Sequence, residues 1–263
     1  MYRKIMGFLE AWKESKHRKP LILQGARQVG KTYSILEFGR THYENVAYFN
    51  FETNPKLNET FEENISPDYL IPILSHIAGQ TIVKEKTLMV FDEVQLCERA
   101  LTSLKYFCEN APDYHIIVAG SLLGVAVNRA KFSFPVGKVD MKTLYPMDME
   151  EFMLALGEDD LVKQIKKCFQ TDTPLPSALH DAAMQLYRQY LVVGGMPECV
   201  MQFAGTKDYI LVRHTQDTIL ASYLNDMSKY NTLNEIKKTR LAYDNITVQL
   251  SKKNTRFQYK LIK

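Results

Sequence analysis

No apolar run in this 263-residue chain is long enough to span a bilayer, and the opening Met1-Tyr2-Arg3-Lys4-Ile5-Met6-Gly7 is broken by charge within a few residues. Both absences argue against a membrane anchor and a secretory signal, so a cytoplasmic protein without a membrane partner is expected. Cysteine is scarce: Cys97, Cys108, Cys168 and Cys199 are scattered, with no C-x-x-C pair and no histidine close by. That spacing fits neither a zinc site nor a disulfide framework, and reduced structural thiols are the expectation. Internal repeats and low-complexity tracts are missing too. Net charge is only +3, and with 46% hydrophobic and 24% charged residues the composition is that of an ordinary globular protein. The length allows one large domain, or a domain with a smaller satellite.

What is present is concentrated at residues 25–32, where Gly25-Ala26-Arg27-Gln28-Val29-Gly30-Lys31-Thr32 matches G-x-x-x-x-G-K-[ST] in full. Backbone N–H groups of such a loop wrap a β/γ-phosphate pair, which the glycines allow by bending closely around it. Lys31 then brings charge to the β- and γ-phosphates, and Thr32 brings a hydroxyl to Mg²⁺. The helix beginning there points its positive dipole end at the anion. The apolar run Leu21-Ile22-Leu23 ahead of the loop reads as a buried strand. The apolar spacing of residues 33–38 reads as a helix meeting Gly39 as its C-cap. The competing reading is a glycine turn between strand and helix with no ligand.

A second signal is Leu88-Met89-Val90-Phe91-Asp92-Glu93, four apolar residues ending in two acids. A buried parallel strand delivers carboxylates to the sheet's carboxyl edge in this way, the Walker B arrangement. Asp92 is expected to hold Mg²⁺ opposite the phosphates, and Glu93 to orient or deprotonate a water for in-line attack. The alternative is an acid pair stabilising a helix N-terminus. Ser121 follows the apolar strand 115–120 and reads either as a contact to the γ-phosphate or the attacking water, or as part of a simple turn. Asn50, ending the strand predicted over 46–52, reads either as a group restraining Glu93 or as a strand-end side chain bonding local backbone. Arg129, Lys131 and Lys138 form a basic group from which one cation could reach a phosphate, in the same chain or across a subunit interface; each alone is an ordinary surface charge.

The remaining pattern is coarse but regular. Residues 3–14 read as an amphipathic helix, through Tyr2, Ile5, Met6, Leu9 and Trp12, packed ahead of the first strand. A fifth strand is predicted over 139–144, so five strands alternating with helices argue for a mostly parallel α/β sheet. Past residue 148 the pattern turns helical, over 149–156, 161–169, 177–193 and 208–224, with Gly194-Gly195-Met196-Pro197 a helix stop and proline-led restart. The expected organisation is a nucleotide-binding core at 1–150, helices at 151–228 and a basic segment at 229–263. That last segment holds nine Lys/Arg against Glu235 and Asp244, so it reads either as a DNA contact or as a solvated basic face.

Taken together, GARQVGKT at 25–32, YFNFE at 48–52, LMVFDEVQ at 88–95, VAGSLLG at 118–124, residues 133–152 and YLVVGGMPE at 190–198 resemble the AAA+ superfamily of P-loop ATPases. Within it they are most similar to a prokaryotic family of ATP-binding proteins related to the archaeal ATPases. The resemblance implies a P-loop three-layer sandwich with a five-stranded sheet of order 5-1-4-3-2. A helical lid and a winged-helix-like segment from about Asn234 should follow. It gives Ser121 the sensor role and Asn50 the switch role. It also implies that relatives continue into a C-terminal domain of unknown function, expected to be absent from a truncated chain ending at Lys263. The resulting expectation is a Mg²⁺-dependent ATPase coupling nucleotide state to lid or partner movement, as a homo-oligomer or on DNA. The alternatives are a nucleotide-gated switch with negligible turnover and, third, a small-molecule kinase.

Overall fold

The computed structural model of the chain describes residues 1–120, 135–228 and 233–252. Strands β1 (Leu21–Gln24), β2 (Asn45–Asn50), β3 (Thr87–Asp92), β4 (His115–Gly120) and β5 (Asp140–Thr143) form one sheet in the order β2-β3-β4-β1-β5. Every neighbouring pair is parallel. This is the order 5-1-4-3-2, and the fold is the P-loop NTPase α/β sandwich. Strands β3 and β4 are buried along their whole length, whereas the edge strands β2 and β5 are only partly covered. Continuous apolar runs therefore fall in the centre, where both faces are covered by helices.

Side chains leave β3 alternately to the two faces. Leu88 and Val90 pack with α1 (Ile5–Glu14) and α2 (Lys31–His42), through Leu9, Trp12, Ile35 and Phe38. Met89 and Phe91 pack on the other side with α3 (Lys56–Glu63), α4 (Pro67–Ala78) and α5 (Glu98–Asn110). Helix α3 has no counterpart in the sequence reading because it is mostly polar; its only buried residues, Leu57 and Phe61, are one helical turn apart. Each contributes about 2 kcal/mol of burial, enough to hold a short polar helix on the sheet.

Two expectations need correction. Gly39 does not cap α2, which continues to His42. A Cβ there would lie 2.5 Å from Val46 Cγ2, so Gly39 lets the helix approach β2 closely. Tyr2 is exposed and α1 starts at Ile5, while Arg3 is buried just ahead of the helix.

The second half is helical: α6 (Met149–Ala155), α7 (Asp159–Gln170), α8 (Ser177–Val193), α9 (Pro197–Thr206) and α10 (Tyr209–Ser228). It has its own apolar centre, in which Phe152, Val193, Val200 and Phe203 are buried together. Beyond it, α11 (Leu233–Asp244) and α12 (Ile246–Leu250) are helices, and no strand of a wing occurs among the described residues there. No described helix is long and apolar enough to cross a membrane.

At the edge of the sheet opposite the loop 25–32, His115 is buried at the start of β4, its Nδ1 2.7 Å from the Tyr43 hydroxyl and its Nε2 without a hydrogen-bond partner among the described residues. Burial, aided by Arg18 and Lys13, pushes its pKa down to about 4. The unfolded chain takes up this proton near pH 6.5 and the folded chain only near 4, so stability is complete above about pH 6.5 and declines between the two values. From pH 7 to pH 5 the imidazole should remove about 2 kcal/mol of unfolding free energy. Urea titrations at the two pH values should show this loss in the wild type and its reduction in His115→Phe. Equal pH dependence in both would refute the assignment.

Candidate functional site

The register of the sheet aligns Gln24 with Gly120 and Asn50 with Asp92, so the carboxyl ends of β1, β2, β3 and β4 lie along one edge. Ligands of open parallel sheets bind outside that edge. The loop 25–32 lies here between β1 and α2, with Gln28 and Gly30 both left-handed, at φ 61° and 89°. Helix α2 begins at Lys31 without a side-chain cap, which leaves its first N–H groups directed at the loop. Lys31 is only 8% exposed, and its Nζ donates to the Gly25 and Ala26 carbonyls at 3.0 and 2.8 Å. Desolvation lowers its pKa, against an opposing pull from Glu93 and Asp92. Among the described residues no carboxylate reaches ion-pair distance of this ammonium, so an anionic ligand suits it.

Thr32 Oγ1 donates to Asp92 Oδ2 at 2.8 Å, across 60 residues of sequence. Hydroxyl and carboxylate oxygens of this kind are hard donors suited to Mg²⁺. The same carboxylate is held from two other sides: the Tyr48 hydroxyl donates to Oδ2 at 2.8 Å, and the Glu93 N–H donates to Oδ1 at 3.0 Å. Burial raises the Tyr48 pKa to about 12, so the phenol stays protonated and remains a donor. Asn50 donates from Nδ2 to the Tyr48 oxygen at 3.2 Å, while its Oδ1 accepts the Glu52 and Thr53 N–H groups at 2.9 and 3.0 Å. Its bonds are thus with Tyr48 and local backbone. Glu93, in a left-handed conformation at φ 52°, instead accepts a hydrogen bond from the Gln95 amide. Tyr48 and Gln95 were missed in the sequence because an exposed-looking strand tyrosine and a glutamine after an acid pair carry no spacing signal.

A third missed residue is Arg3. Its guanidinium is buried and donates to the Glu151 carboxylate at 3.1 Å, to the Val29 carbonyl of the loop at 2.7 Å and to the Tyr145 carbonyl at 2.8 Å. Glu151 is itself fixed in a capping box with Asp148, whose side chain accepts the Glu151 N–H at 2.9 Å. The D-x-x-E spacing at 148–151 was a readable signal for that cap. Its arginine partner, 148 residues earlier, was not. The helical half also touches the loop directly. The Tyr223 hydroxyl donates to the Arg27 carbonyl at 2.7 Å, and Asp226 pairs with the Arg27 guanidinium. The turn before α9 is pinned to the core-to-helix connection, with Met147 N–H donating to the Gly195 carbonyl at 2.6 Å. A Cβ on Gly195 would come 2.1 Å from the Met147 carbonyl oxygen, so this position requires glycine.

Ser121, Arg129 and Lys131 lie outside the described residues. Lys138 is described, and its ammonium pairs with Glu109 on α5 at 2.9 Å.

No curated protein sequence matches the chain. Among solved structures it is similar to ORC2 of Aeropyrum pernix in ADPNP and ADP complexes, with 15% identity over 60% of this chain and 52% of that one and a TM-score of 0.39. It is similar to the RuvB Holliday junction branch migration motor of Thermotoga maritima, with 14% identity, coverage of 93% and 74%, and a TM-score of 0.42. For AMPPCP-bound DnaA of Aquifex aeolicus the identity is 10%, the coverage 98% and 83%, and the TM-score 0.39. The chain thus spans 52% of the ORC2 chain. A family model described as a domain of unknown function matches residues 184–263. Residues 17–153, more than half of the chain and including the loop 25–32 and the Asp92-Glu93 strand end, match the model described as AAA domain, and the chain belongs to that family.

Proposed function

We propose that the chain binds ATP with Mg²⁺ at the loop 25–32 and hydrolyses it, and that the helices at 151–228 act as a lid whose position follows the nucleotide. One observation carries this reading: a buried ammonium bonded, among the described residues, only to carbonyls stands on the same sheet edge as a hydroxyl-carboxylate pair and a neighbouring glutamate. Loop N–H groups, Lys31 and the α2 N-terminus bind the phosphates. Thr32 and Asp92 would hold Mg²⁺, which when bound neutralises phosphate charge. Glu93 accepts a proton from water as its oxygen bonds the γ-phosphorus and the bond to the β-bridging oxygen breaks, giving ADP and phosphate. A lid role is supported by Tyr223 and Asp226, which grip Arg27 inside the loop that must accommodate phosphates. Nucleotide at that loop changes what Arg27 can offer them.

The basic segment at 229–263 is the proposed DNA contact, in a homo-oligomer or alone, on the strength of its nine Lys/Arg. Steady-state phosphate release by the purified chain, with Mg²⁺ or with excess EDTA and with or without duplex DNA, tests the reading. Turnover that needs Mg²⁺ is expected, with DNA stimulation lost at high salt. Absence of turnover in every arm would refute hydrolysis, and salt-insensitive or absent DNA binding would refute the DNA contact.

A further inference from the structure

We infer that Gln95 is a positioning residue for hydrolysis that acts through Glu93; this rests on the ATPase reading above. Gln95 lies in the short 3₁₀ turn Val94–Leu96, directly behind the left-handed Glu93. Its amide nitrogen donates to Glu93 Oε2, and its own Oε1 is buried without a hydrogen-bond partner among the described residues. A glutamate at the end of a strand has three side-chain torsions to restrict before it can meet a water in one geometry. The amide restricts them in advance. Because it is neutral, it does so without the opposing charge that an arginine or lysine would place on the base. Asn50, whose polar atoms are engaged by Tyr48 and backbone N–H groups, leaves this role to Gln95.

The test is a double-mutant cycle on the full chain. Single-turnover and steady-state ATP hydrolysis are measured for wild type, Gln95→Met, Glu93→Gln and the double variant. Methionine keeps the length of the side chain and removes both hydrogen-bonding groups. Gln95→Met should lower kcat about tenfold, as expected for a lost hydrogen bond to a charged group, with KM for ATP within about twofold and the melting temperature unchanged. In the Glu93→Gln background it should add less than about twofold, because its effect passes through the glutamate. If Gln95→Met does not fold, Gln95→Glu, which sets a like charge beside Glu93, should show the same kcat loss at constant KM. An active wild type and a slow Glu93→Gln together with Gln95→Met at the wild-type rate would overturn the Gln95 role alone. Equal losses from Gln95→Met in both backgrounds would overturn it as well. A wild type without turnover, or Glu93→Gln as fast as wild type, would overturn the ATPase reading and this inference with it.

Discussion

Glu93→Gln should slow phosphate release by about 10²–10³-fold while ATP remains bound, the range expected when a positioned general base is lost. Glutamine fills the same volume and can still face the site, but it cannot take the proton that the attacking water must lose. The groups proposed to bind phosphate, Lys31 and the uncapped start of α2, are untouched by the change. Lys31→Ala offers the contrasting result: binding itself should fail, because the only charge aimed into the loop from α2 has gone. Equilibrium binding of a fluorescent ATP analogue beside phosphate release separates the two. Glu93→Gln should bind tightly and turn over slowly, and Lys31→Ala should do neither. Unchanged turnover in Glu93→Gln would remove Glu93 from the chemistry.

Arg3→Ala should cost about 3–5 kcal/mol of stability, the loss typical of removing one partner from a buried ion pair. Three groups lose their donor together: the Glu151 carboxylate, the Val29 carbonyl and the Tyr145 carbonyl. Glu151 would keep the Lys4 N–H at 2.6 Å and its own cap, which is too little to compensate a buried charge. At roughly 2–4 °C per kcal/mol for a chain of this size, the melting temperature should fall by about 10 °C. Combining Arg3→Met with Glu151→Leu should recover much of the loss, because removing both charges leaves no unpaired one. A single variant within about 1 kcal/mol of wild type, or a double variant no better than Arg3→Ala, would show that the pair does not join the N-terminal segment to α6. Val29 is part of the loop 25–32 proposed to bind the phosphates, so ATP affinity should also weaken in Arg3→Ala.

Much of the fold was legible without coordinates. β3 and β4 announced themselves by unbroken apolar runs, because a strand covered on both faces has no polar side to show. Helix α8 was read over the residues it occupies, since Leu186 and Val193 sit on a clear apolar face bounded by Pro176 and Gly194. Helix α3 was not, since two apolar residues among eight make no pattern. Gly39 was misjudged for a related reason: a glycine after an apolar stretch reads as a cap, and only the proximity of Val46 shows a packing role.

The site divides along the same line. Gly25 to Thr32 and Asp92-Glu93 are contiguous, so the linear chain by itself displayed a loop of phosphate-binding pattern and a carboxylate pair, each at the end of a buried strand. What surrounds them was decided by tertiary structure alone. Tyr48 reaches Asp92 across 44 residues, Arg3 reaches Glu151 across 148, and Tyr223 reaches Arg27 across 196. Even Gln95, two residues from Glu93, meets it only because Glu93 takes a left-handed turn out of β3. Local composition determines strands, helices and turns through steric and burial preferences that act over a few residues. The direction of a hydrogen bond between distant side chains depends on how those elements pack, and no period or spacing along the chain encodes it.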